Sequence, residues 1–301
     1  MRILVTGRNG QIAQALVRLA TSELVIEAFG RPELDITDRI SIDRAIGRFR
    51  PDILVNAAAY TAVDKAESDV EAAFAANRDG AGNVAAAAAA VNIPVIHLST
   101  DYIFPGEGGV PYREEDAAGP INLYGRSKLE GEHVVTAVNP WHVILRTSWV
   151  YAPWGQNFPK VMLRLASERD AVRVVADQHG APTYAPDIAE GILRVARAAL
   201  VELSSSAWRG VFHMTAAGET SWAGFAEAIF AESAKCGGPS ARVESIVTTD
   251  YPTPARRPLN SRLDNSRFNA IFDYSLPDWR DGVRRCVEEL TAISNPLSEK
   301  H

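Results

Sequence analysis

The chain has 301 residues, a formal net charge of −6, 47% hydrophobic residues and two cysteines. This length and composition are those of one large globular domain or two of ordinary size, and the acidic balance disfavours a nucleic-acid-binding protein, which needs a basic face. Two widely spaced cysteines, no metal-ligand motif and no apolar run of ~18 residues favour a cytoplasmic protein without a disulfide framework, a zinc site or a membrane span.

A short apolar run near the N-terminus, Ile3-Leu4-Val5, is typical of a strand buried in a parallel sheet. It leads into the turn Thr6-Gly7-Arg8-Asn9-Gly10-Gln11-Ile12-Ala13, after which apolar residues recur at helical spacing. Glycines in such a strand–turn–helix unit let backbone amides approach a pyrophosphate, whose charge the helix N-terminus favours. The turn therefore predicts a dinucleotide site, and a tight turn without a ligand is the alternative.

A second strand is predicted at Leu24-Val25-Ile26, and the residues beyond it bear on the choice of cofactor. At this strand end an acidic side chain favours NAD, whereas an arginine accommodates the 2′-phosphate of NADP. Glu27 and Arg31 indicate opposite choices, and Arg31 as a solvated loop charge is the alternative. We expect Arg31 and Asp35 to contact the cofactor and NADPH to be preferred, with NADH left open.

Two further strands are predicted to end in groups that suit a ligand. Asp52-Ile53-Leu54-Val55 runs into Asn56-Ala57-Ala58-Ala59, whose small side chains leave room for a ligand or pack closely against a helix. The strand from Pro94 to Asp101 ends in hydroxyl groups and a carboxylate. Reactive groups of α/β sheets lie at such ends, so Thr100 is a candidate donor to a substrate oxygen, with a turn cap as the alternative.

Tyr124 and Lys128 are four residues apart in the stretch Tyr124-Gly125-Arg126-Ser127-Lys128. On a helix these two side chains share one face. An ammonium group near a phenol favours the phenolate and lowers the pKa of the tyrosine, which would suit proton transfer near neutral pH. The pattern is short, and a surface pair is the alternative, but its position after a glycine turn and a Ser-Thr strand end favours a catalytic pair.

Longer stretches carry a resemblance to a known family. They run from Val55 to Glu67, Ser99 to Phe104, Tyr124 to Lys128, Arg146 to Tyr151, Asp177 to Thr183 and Pro252 to Pro258. On these stretches the chain resembles the extended short-chain dehydrogenase/reductase family, and within it the reductases of 4-keto deoxysugar nucleotides. Several long, non-repetitive matches in the same order are more specific than any single motif.

The resemblance implies a role for each matching residue. The cofactor would be held by Gly7, Asn9, Gly10, Gln11 and Ile12, with Ala57, Ala58 and Thr61 along its path to the nicotinamide. Thr100, Tyr124 and Lys128 would be catalytic; Tyr124 and Lys128 would also contact the cofactor, with Lys128 binding the ribose hydroxyls. Thr100, Tyr102, Trp149, Asn157 and Arg256 would contact the nucleotide sugar.

The implied reaction is NAD(P)H-dependent reduction of the C4 ketone of dTDP-4-dehydro-L-rhamnose to dTDP-L-rhamnose. A reductase of a neighbouring deoxysugar nucleotide is one alternative, because the sequence does not show which face of the ketone the pocket presents. The other is a non-catalytic nucleotide-binding subunit, since proteins of similar sequence regulate methionine adenosyltransferase. The intact set of Thr100, Tyr124 and Lys128 disfavours that second alternative.

The resemblance also implies an architecture and an assembly. We expect an α/β fold, a Rossmann-type doubly wound parallel sheet at residues 1–150, and a smaller α/β substrate domain at residues 151–301, with some later segments returning to the sheet. Some relatives dimerise through magnesium held by glutamates, but Ala15 replaces one of them and Glu190 alone makes a poor cage. A metal-bridged dimer is not predicted, and a homodimer of another kind is left open.

Overall fold

The structure is a computed structural model that describes residues 1–201 and 205–294. The strands are β1 (Arg2–Thr6), β2 (Val25–Phe29), β3 (Ile53–Asn56), β4 (Val95–Thr100), β5 (His142–Thr147), β6 (Val150–Tyr151), β7 (Ala171–Val175), β8 (His179–Gly180), β9 (Thr183–Tyr184), β10 (Gly210–His213), β11 (Thr220–Ser221) and β12 (Arg242–Ile246). The helices are α1 (Gln11–Arg18), α2 (Arg39–Phe49), α3 (Val63–Ala66), α4 (Val70–Phe74), α5 (Ala81–Ala90), α6 (Leu123–Val138), α7 (Phe158–Glu168), α8 (Ala185–Val201), α9 (Trp222–Lys235), α10 (Ser266–Phe272) and α11 (Trp279–Ser294). A π-helical turn spans Ala75–Gly80, and 3₁₀ turns span Asp101–Ile103 and Thr248–Asp250.

Parallel strands form the central sheet in the order β10-β5-β4-β3-β1-β2. The direction of winding reverses at β1, because β2 lies on one side of it and the later strands extend from the other. Such a reversal opens a crevice at the carboxyl ends of the strands, where ligands of α/β sheets bind. This order confirms the predicted α/β, Rossmann-type, doubly wound fold.

Helices cover both faces of this sheet, as strands that are apolar on both sides require. On one face, Ile3, Val5 and Val55 belong to a buried cluster with apolar residues of α1, α8 and α10. On the other face, Leu4 and Leu54 belong to a second cluster with residues of α2, α5 and α6. The sheet is therefore a rigid platform whose carboxyl edge carries the candidate site.

The C-terminal half forms an apolar cluster of its own and also adds to the central sheet and its helices. Residues of α7, α9, α11 and the parallel pair β7–β12 build a third apolar cluster. β10 instead pairs with β5, and α8 packs against α1. The proposed boundary at residue 150 stays a prediction. No helix in the ranges 1–201 and 205–294 is both long and apolar enough to cross a membrane.

Candidate active site

The carboxyl ends of β1, β3 and β4 bring several predicted residues to one edge of the sheet. The glycine turn follows β1, Ala57 and Ala58 follow β3, and Thr100 ends β4. Helix α6 lies against β4, where Lys128 Nζ donates a hydrogen bond to the Leu98 carbonyl at 2.7 Å. The predicted cofactor turn and the predicted catalytic residues therefore share one edge of the sheet.

The turn after β1 holds its backbone very close to the end of β3. Gly7 has a φ of 81°, and a Cβ at this position would lie 2.9 Å from Ala58 Cα. The Gly7 carbonyl accepts from the Gly10 N–H at 2.7 Å, and a Cβ on Gly10 would lie 3.1 Å from that oxygen. No side chain caps α1, so its first N–H groups are left for an anion beside the exposed Asn9. This cradle fits a dinucleotide pyrophosphate.

Gln11 ties this turn to a later segment of the chain. Its Nε2 donates to the Val150 carbonyl at 3.3 Å, and its Oε1 accepts from Asn157 Nδ2 at 2.8 Å. Asn157 also caps α7, where its Oδ1 accepts from the Lys160 N–H at 3.3 Å. Asn157 is thus engaged with protein atoms beside the cofactor turn, and its contact with substrate stays a prediction. Ile12, the other residue predicted here, is partly buried against the apolar cluster that contains α1.

Two guanidinium groups lie beyond the end of β2. Arg8 Nη1 pairs with Glu33 Oε2 at 2.7 Å, and Arg31 Nε pairs with Asp35 Oδ2 at 2.7 Å. The Arg8 N–H donates to the Phe29 carbonyl at 3.1 Å, which fixes Arg8 over this strand end. The two arginine side chains are 41% and 73% exposed, so a ligand phosphate can reach both. Arg31 and Asp35 were expected here from the sequence, whereas Arg8 was not, although it stands inside the glycine turn.

The segment after β3 is held by hydrogen bonds that leave little side-chain bulk near the crevice. Ala57 and Ala58 are partly buried, and Thr61 is exposed. The Ala58 N–H donates to Thr6 Oγ1 at 3.1 Å. Asn77 accepts from the Tyr60 N–H at 2.8 Å and donates to the Tyr60 carbonyl at 3.0 Å. Small residues on a fixed backbone suit the predicted path of a cofactor.

Thr100 and Tyr124 meet at the end of β4. The Tyr124 hydroxyl lies beside Thr100, whose Oγ1 donates to Asp101 Oδ1 at 3.0 Å. Desolvation raises the pKa of Tyr124 to about 12, with the nearby Asp101 carboxyl adding to the rise. Burial likewise raises the pKa of Asp101 to about 7, against the hydrogen bond from Thr100 to its Oδ1, while its Oδ2 has no partner among the described residues. At neutral pH Tyr124 is therefore a protonated phenol, the form needed by a proton donor.

Lys128 lies one helical turn beyond Tyr124 and is buried. Its Nζ donates to Leu98 O and lies 3.4 Å from His97 Nε2. Burial lowers the pKa of Lys128 to about 8, although Glu132 acts in the opposite direction. Lys128 was expected to lower the pKa of Tyr124, but in this structure that pKa is raised. Desolvation of the phenol dominates, and Lys128 Nζ donates to the Leu98 carbonyl of β4.

The predicted substrate residues lie in three different surroundings. Tyr102 packs edge-on against Tyr124, with ring centroids 5.7 Å apart. Trp149 has a φ of 47° and stacks on Trp222 with centroids 3.7 Å apart, so half of its ring surface is used in packing. Arg256 has an exposed side chain, while its carbonyl accepts from Asn122 Nδ2 at 2.9 Å. Tyr102 joins the Thr100–Tyr124 pair, whereas Trp149 and Arg256 have no hydrogen bond or ring contact with it among the described residues.

Asn56 and His97 are buried polar residues that were not among those expected at the site. Asn56 Nδ2 lies 3.0 Å from His97 Nδ1, and Asn56 Oδ1 accepts from Thr6 Oγ1 at 2.6 Å. Their signal was available, since an amide and an imidazole interrupt otherwise apolar strands at positions next to the candidate site. Within residues 1–201 and 205–294, no cluster of three histidine, cysteine, aspartate or glutamate side chains is arranged to hold a metal ion.

Comparisons with known proteins agree over nearly the whole chain. The family described as RmlD substrate binding domain matches residues 1–292. A dTDP-4-dehydrorhamnose reductase of Sinorhizobium fredii is 52% identical, covering 95% of this chain and 97% of its own length. The enzyme of that name from Escherichia coli K12 is 44% identical, covering 96% and 98%.

A solved structure agrees with the fold as well. The crystal structure of dTDP-4-dehydrorhamnose reductase from Bacillus anthracis in complex with NADP superimposes with a TM-score of 0.88 at 34% identity, covering 96% of this chain and 99% of its own. These matches exceed what a shared fold alone produces, and they span both the glycine turn and the residues around Tyr124. The chain therefore belongs to the dTDP-4-dehydrorhamnose reductase family of oxidoreductases.

Proposed function

We propose that this chain reduces the C4 ketone of dTDP-4-dehydro-L-rhamnose to give dTDP-L-rhamnose. The observation that carries the proposal is the proximity of Thr100 and Tyr124 on the same sheet edge as the Gly7 cradle. Relatives at 52% and 44% identity carry the name of this reaction, which supports the choice of substrate. A related solved structure contains NADP, which supports a nicotinamide cofactor here.

The roles of the residues follow from their chemistry. A bound reduced nicotinamide supplies the hydride. Thr100 hydrogen-bonds the ketone oxygen and orients it, and Tyr124 donates its phenolic proton to that oxygen as negative charge develops there. The raised pKa of Tyr124 keeps this proton in place until an alkoxide, a far stronger base, faces it. Lys128, in its protonated form, would supply positive charge beneath the site and hydrogen-bond to the ribose of the cofactor.

The nucleotide sugar is expected to lie between the sheet edge and the C-terminal layer. Tyr102 and Trp149 offer aromatic surface to the sugar, and Arg256 offers an exposed guanidinium to the diphosphate. We assign residues 151–301 mainly to this substrate domain. A cytoplasmic location agrees with the free, exposed thiol of Cys236.

The function is tested by turnover of dTDP-4-dehydro-L-rhamnose with NADPH and with NADH, followed as loss of reduced-nicotinamide absorbance. We expect turnover with both cofactors and dTDP-L-rhamnose as the product by NMR. A product with the opposite C4 configuration, or activity only with another 4-keto sugar nucleotide, would move the chain to a neighbouring deoxysugar reductase. Nucleotide binding without turnover on any such ketone would favour a regulatory subunit instead.

Cofactor preference depends on Arg8 and Arg31. A 2′-phosphate at the end of β2 would replace Glu33 and Asp35 as the partner of these two guanidinium groups. We expect Arg8→Ala with Arg31→Ala to lower kcat/KM for NADPH roughly tenfold to hundredfold, because charge-assisted hydrogen bonds are lost, and to spare NADH.

A matched control for this double variant is available elsewhere. Arg164 also makes an exposed ion pair with a carboxylate four residues on, Glu168, at 3.2 Å. Arg164→Ala should leave kcat/KM for NADPH and for NADH at their native values. An unchanged ratio of NADPH to NADH efficiency in the Arg8/Arg31 variant would remove these residues from cofactor selection.

A further inference from the structure

Four buried polar side chains form a continuous row beneath the active edge of the sheet. Thr6, Asn56 and His97 are neighbours in register on β1, β3 and β4, and Lys128 comes from α6. Their exposed fractions are 0%, 1%, 1% and 2%. Because water does not reach them, the donors and acceptors of the row must satisfy one another.

The row has a defined hydrogen-bond direction. The Ala58 N–H donates to Thr6 Oγ1 at 3.1 Å, which leaves the Thr6 hydroxyl hydrogen to donate to Asn56 Oδ1 at 2.6 Å. Asn56 Nδ2 then faces His97 Nδ1 at 3.0 Å and donates to it. A reversed Asn56 amide would set its N–H group against the Thr6 hydroxyl and break this order. His97 therefore accepts at Nδ1 and carries its proton on Nε2.

This tautomer determines what Lys128 meets. The Nε2–H of His97 lies 3.4 Å from Lys128 Nζ. An N–H group is repelled by an ammonium but donates to the lone pair of a neutral amine. Lys128 donates to Leu98 O at 2.7 Å in either form. The row thus favours the uncharged amine, in the same direction as the burial that lowers the pKa of Lys128.

Glu132, on the same helix as Lys128, raises the pKa of Lys128 and offsets the effect of the row only in part. Glu132 favours the ammonium, but Arg146 of β5 binds the Glu132 carboxylate at 2.8 Å and neutralises it. His97 adds no positive charge, because burial and the neighbouring Lys128 hold its pKa well below the usual value.

The other charged groups on elements packed against α6 are engaged elsewhere. They are Asp64 of α3 on Arg257, Lys65 on Asp69, Glu67 on the Leu123 N–H, Arg78 of the π-helical turn on Asp79 and Glu130, and Asp101 beside Tyr124. Glu71 of α4 is exposed to solvent. The side chain of Asn77, which donates to Ser127 at 2.9 Å, is neutral. The row and Glu132 are therefore the groups that act on the pKa of Lys128 in opposite directions: the row lowers it and Glu132 raises it.

We propose that Thr6, Asn56 and His97 act together as positioning residues. They hold the Nε2–H donor of His97 toward Lys128 and so set the pH range in which Lys128 is charged. This inference rests on the proposed reduction only for its consequence in turnover. If the reaction uses the ammonium, its rate falls as pH rises through the pKa of Lys128, about 8. A variant in which the hydrogen-bond direction of the row is reversed would keep its turnover rate to higher pH.

The first measurement uses the native protein without any ligand. The ¹⁵N chemical shifts of the His97 ring distinguish a bare nitrogen from a protonated one, and a His97→Gln spectrum assigns them. We expect a bare Nδ1 and a protonated Nε2. A proton on Nδ1 would overturn the proposal whether or not the protein turns over a ketone.

The second measurement reverses the row. The carboxylate introduced by Asn56→Asp offers only acceptors, so His97 must carry its proton on Nδ1 and present a bare Nε2 to the Lys128 ammonium. We expect the pKa of Lys128, followed by ¹³C shifts of its side chain, to rise by about 1–3 units, and the alkaline limit of kcat to move with it. An unchanged Lys128 titration would overturn the proposal.

Uncharged variants separate this effect from the added carboxylate. Thr6→Val removes the hydroxyl that orients Asn56 and should raise the pKa of Lys128 less than Asn56→Asp does, while Thr6→Ser should restore the native value. Ser99→Ala is the matched control, because Ser99 is buried on β4 two residues after His97 and its hydroxyl has no hydrogen-bond partner among the described residues. If Ser99→Ala shifted the pKa of Lys128 as much as Thr6→Val does, the hydrogen-bond direction of the row would not be what sets that pKa. Absence of turnover in the native protein would instead count against the proposed function, and the ring and lysine titrations would still be readable.

Discussion

Tyr124→Phe is expected to lower turnover by about 10²–10⁴-fold, since proton donation by a positioned acid contributes that much to rate. The phenylalanine keeps the edge-on packing against Tyr102, so the loss comes from the phenolic hydroxyl beside Thr100. Binding of NADPH, measured by titration calorimetry, should stay within about twofold of the native value, because the cradle around Gly7 does not involve this hydroxyl.

The control for this variant is a tyrosine far from the crevice. Tyr274 lies under Arg194, with the guanidinium 5.3 Å from its ring centroid. Tyr274→Phe should turn over like the native chain. If Tyr124→Phe also retained native turnover, the proton would have another source and the assignment of Tyr124 would be wrong.

Arg146→Met should cost about 3–5 kcal/mol of unfolding free energy, because it leaves a buried carboxylate without its partner. Arg146 bonds to Glu132 through Nε and Nη2 at 3.0 and 2.8 Å, and the two side chains are only 7% and 4% exposed. Its Nη1 also donates to the Glu114 carbonyl at 3.3 Å. Denaturant unfolding monitored by circular dichroism gives the difference from the shift of the midpoint.

The double variant Arg146→Met with Glu132→Met separates pairing from packing. Removing both charges takes away the unpaired carboxylate, and an apolar pair of similar volume is often as stable as a buried ion pair. We expect the double variant to recover most of the loss. A single variant that unfolds at the native midpoint would show that water reaches Glu132, contrary to its burial.

The architecture was readable because its signals are local. A β-branched run, a glycine turn and a helical repeat define β1 and α1 by themselves, and the strand order follows from the family to which these motifs belong. In the C-terminal half, Phe158, Val161 and Met162 recur at helical spacing in α7, and the apolar Val211 and Phe212 lie in β10. The strand predicted to begin at Leu24 begins one residue later, at Val25.

The electrostatics of the site could not be read in the same way. The spacing of Tyr124 and Lys128 shows that they share a helix, but the competition between desolvation and charge depends on what packs around them. Lys128 bonds to Leu98 and faces His97, residues about thirty positions earlier in the chain. Asn157 likewise matched a substrate position, while its amide is engaged by Gln11, which lies 146 residues away. Such long-range contacts have no signature in a single sequence.

The late return of β10 to the sheet has a consequence for synthesis on the ribosome. Strand β5 is complete at residue 147, yet the strand that covers its outer edge begins at residue 210. While the intervening chain is being translated, the unpaired N–H and C=O groups of β5 offer a template for another nascent chain. The outer edge of the sheet therefore stays open until the second half is translated, and the growing polypeptide is most vulnerable to association with its neighbours during that interval.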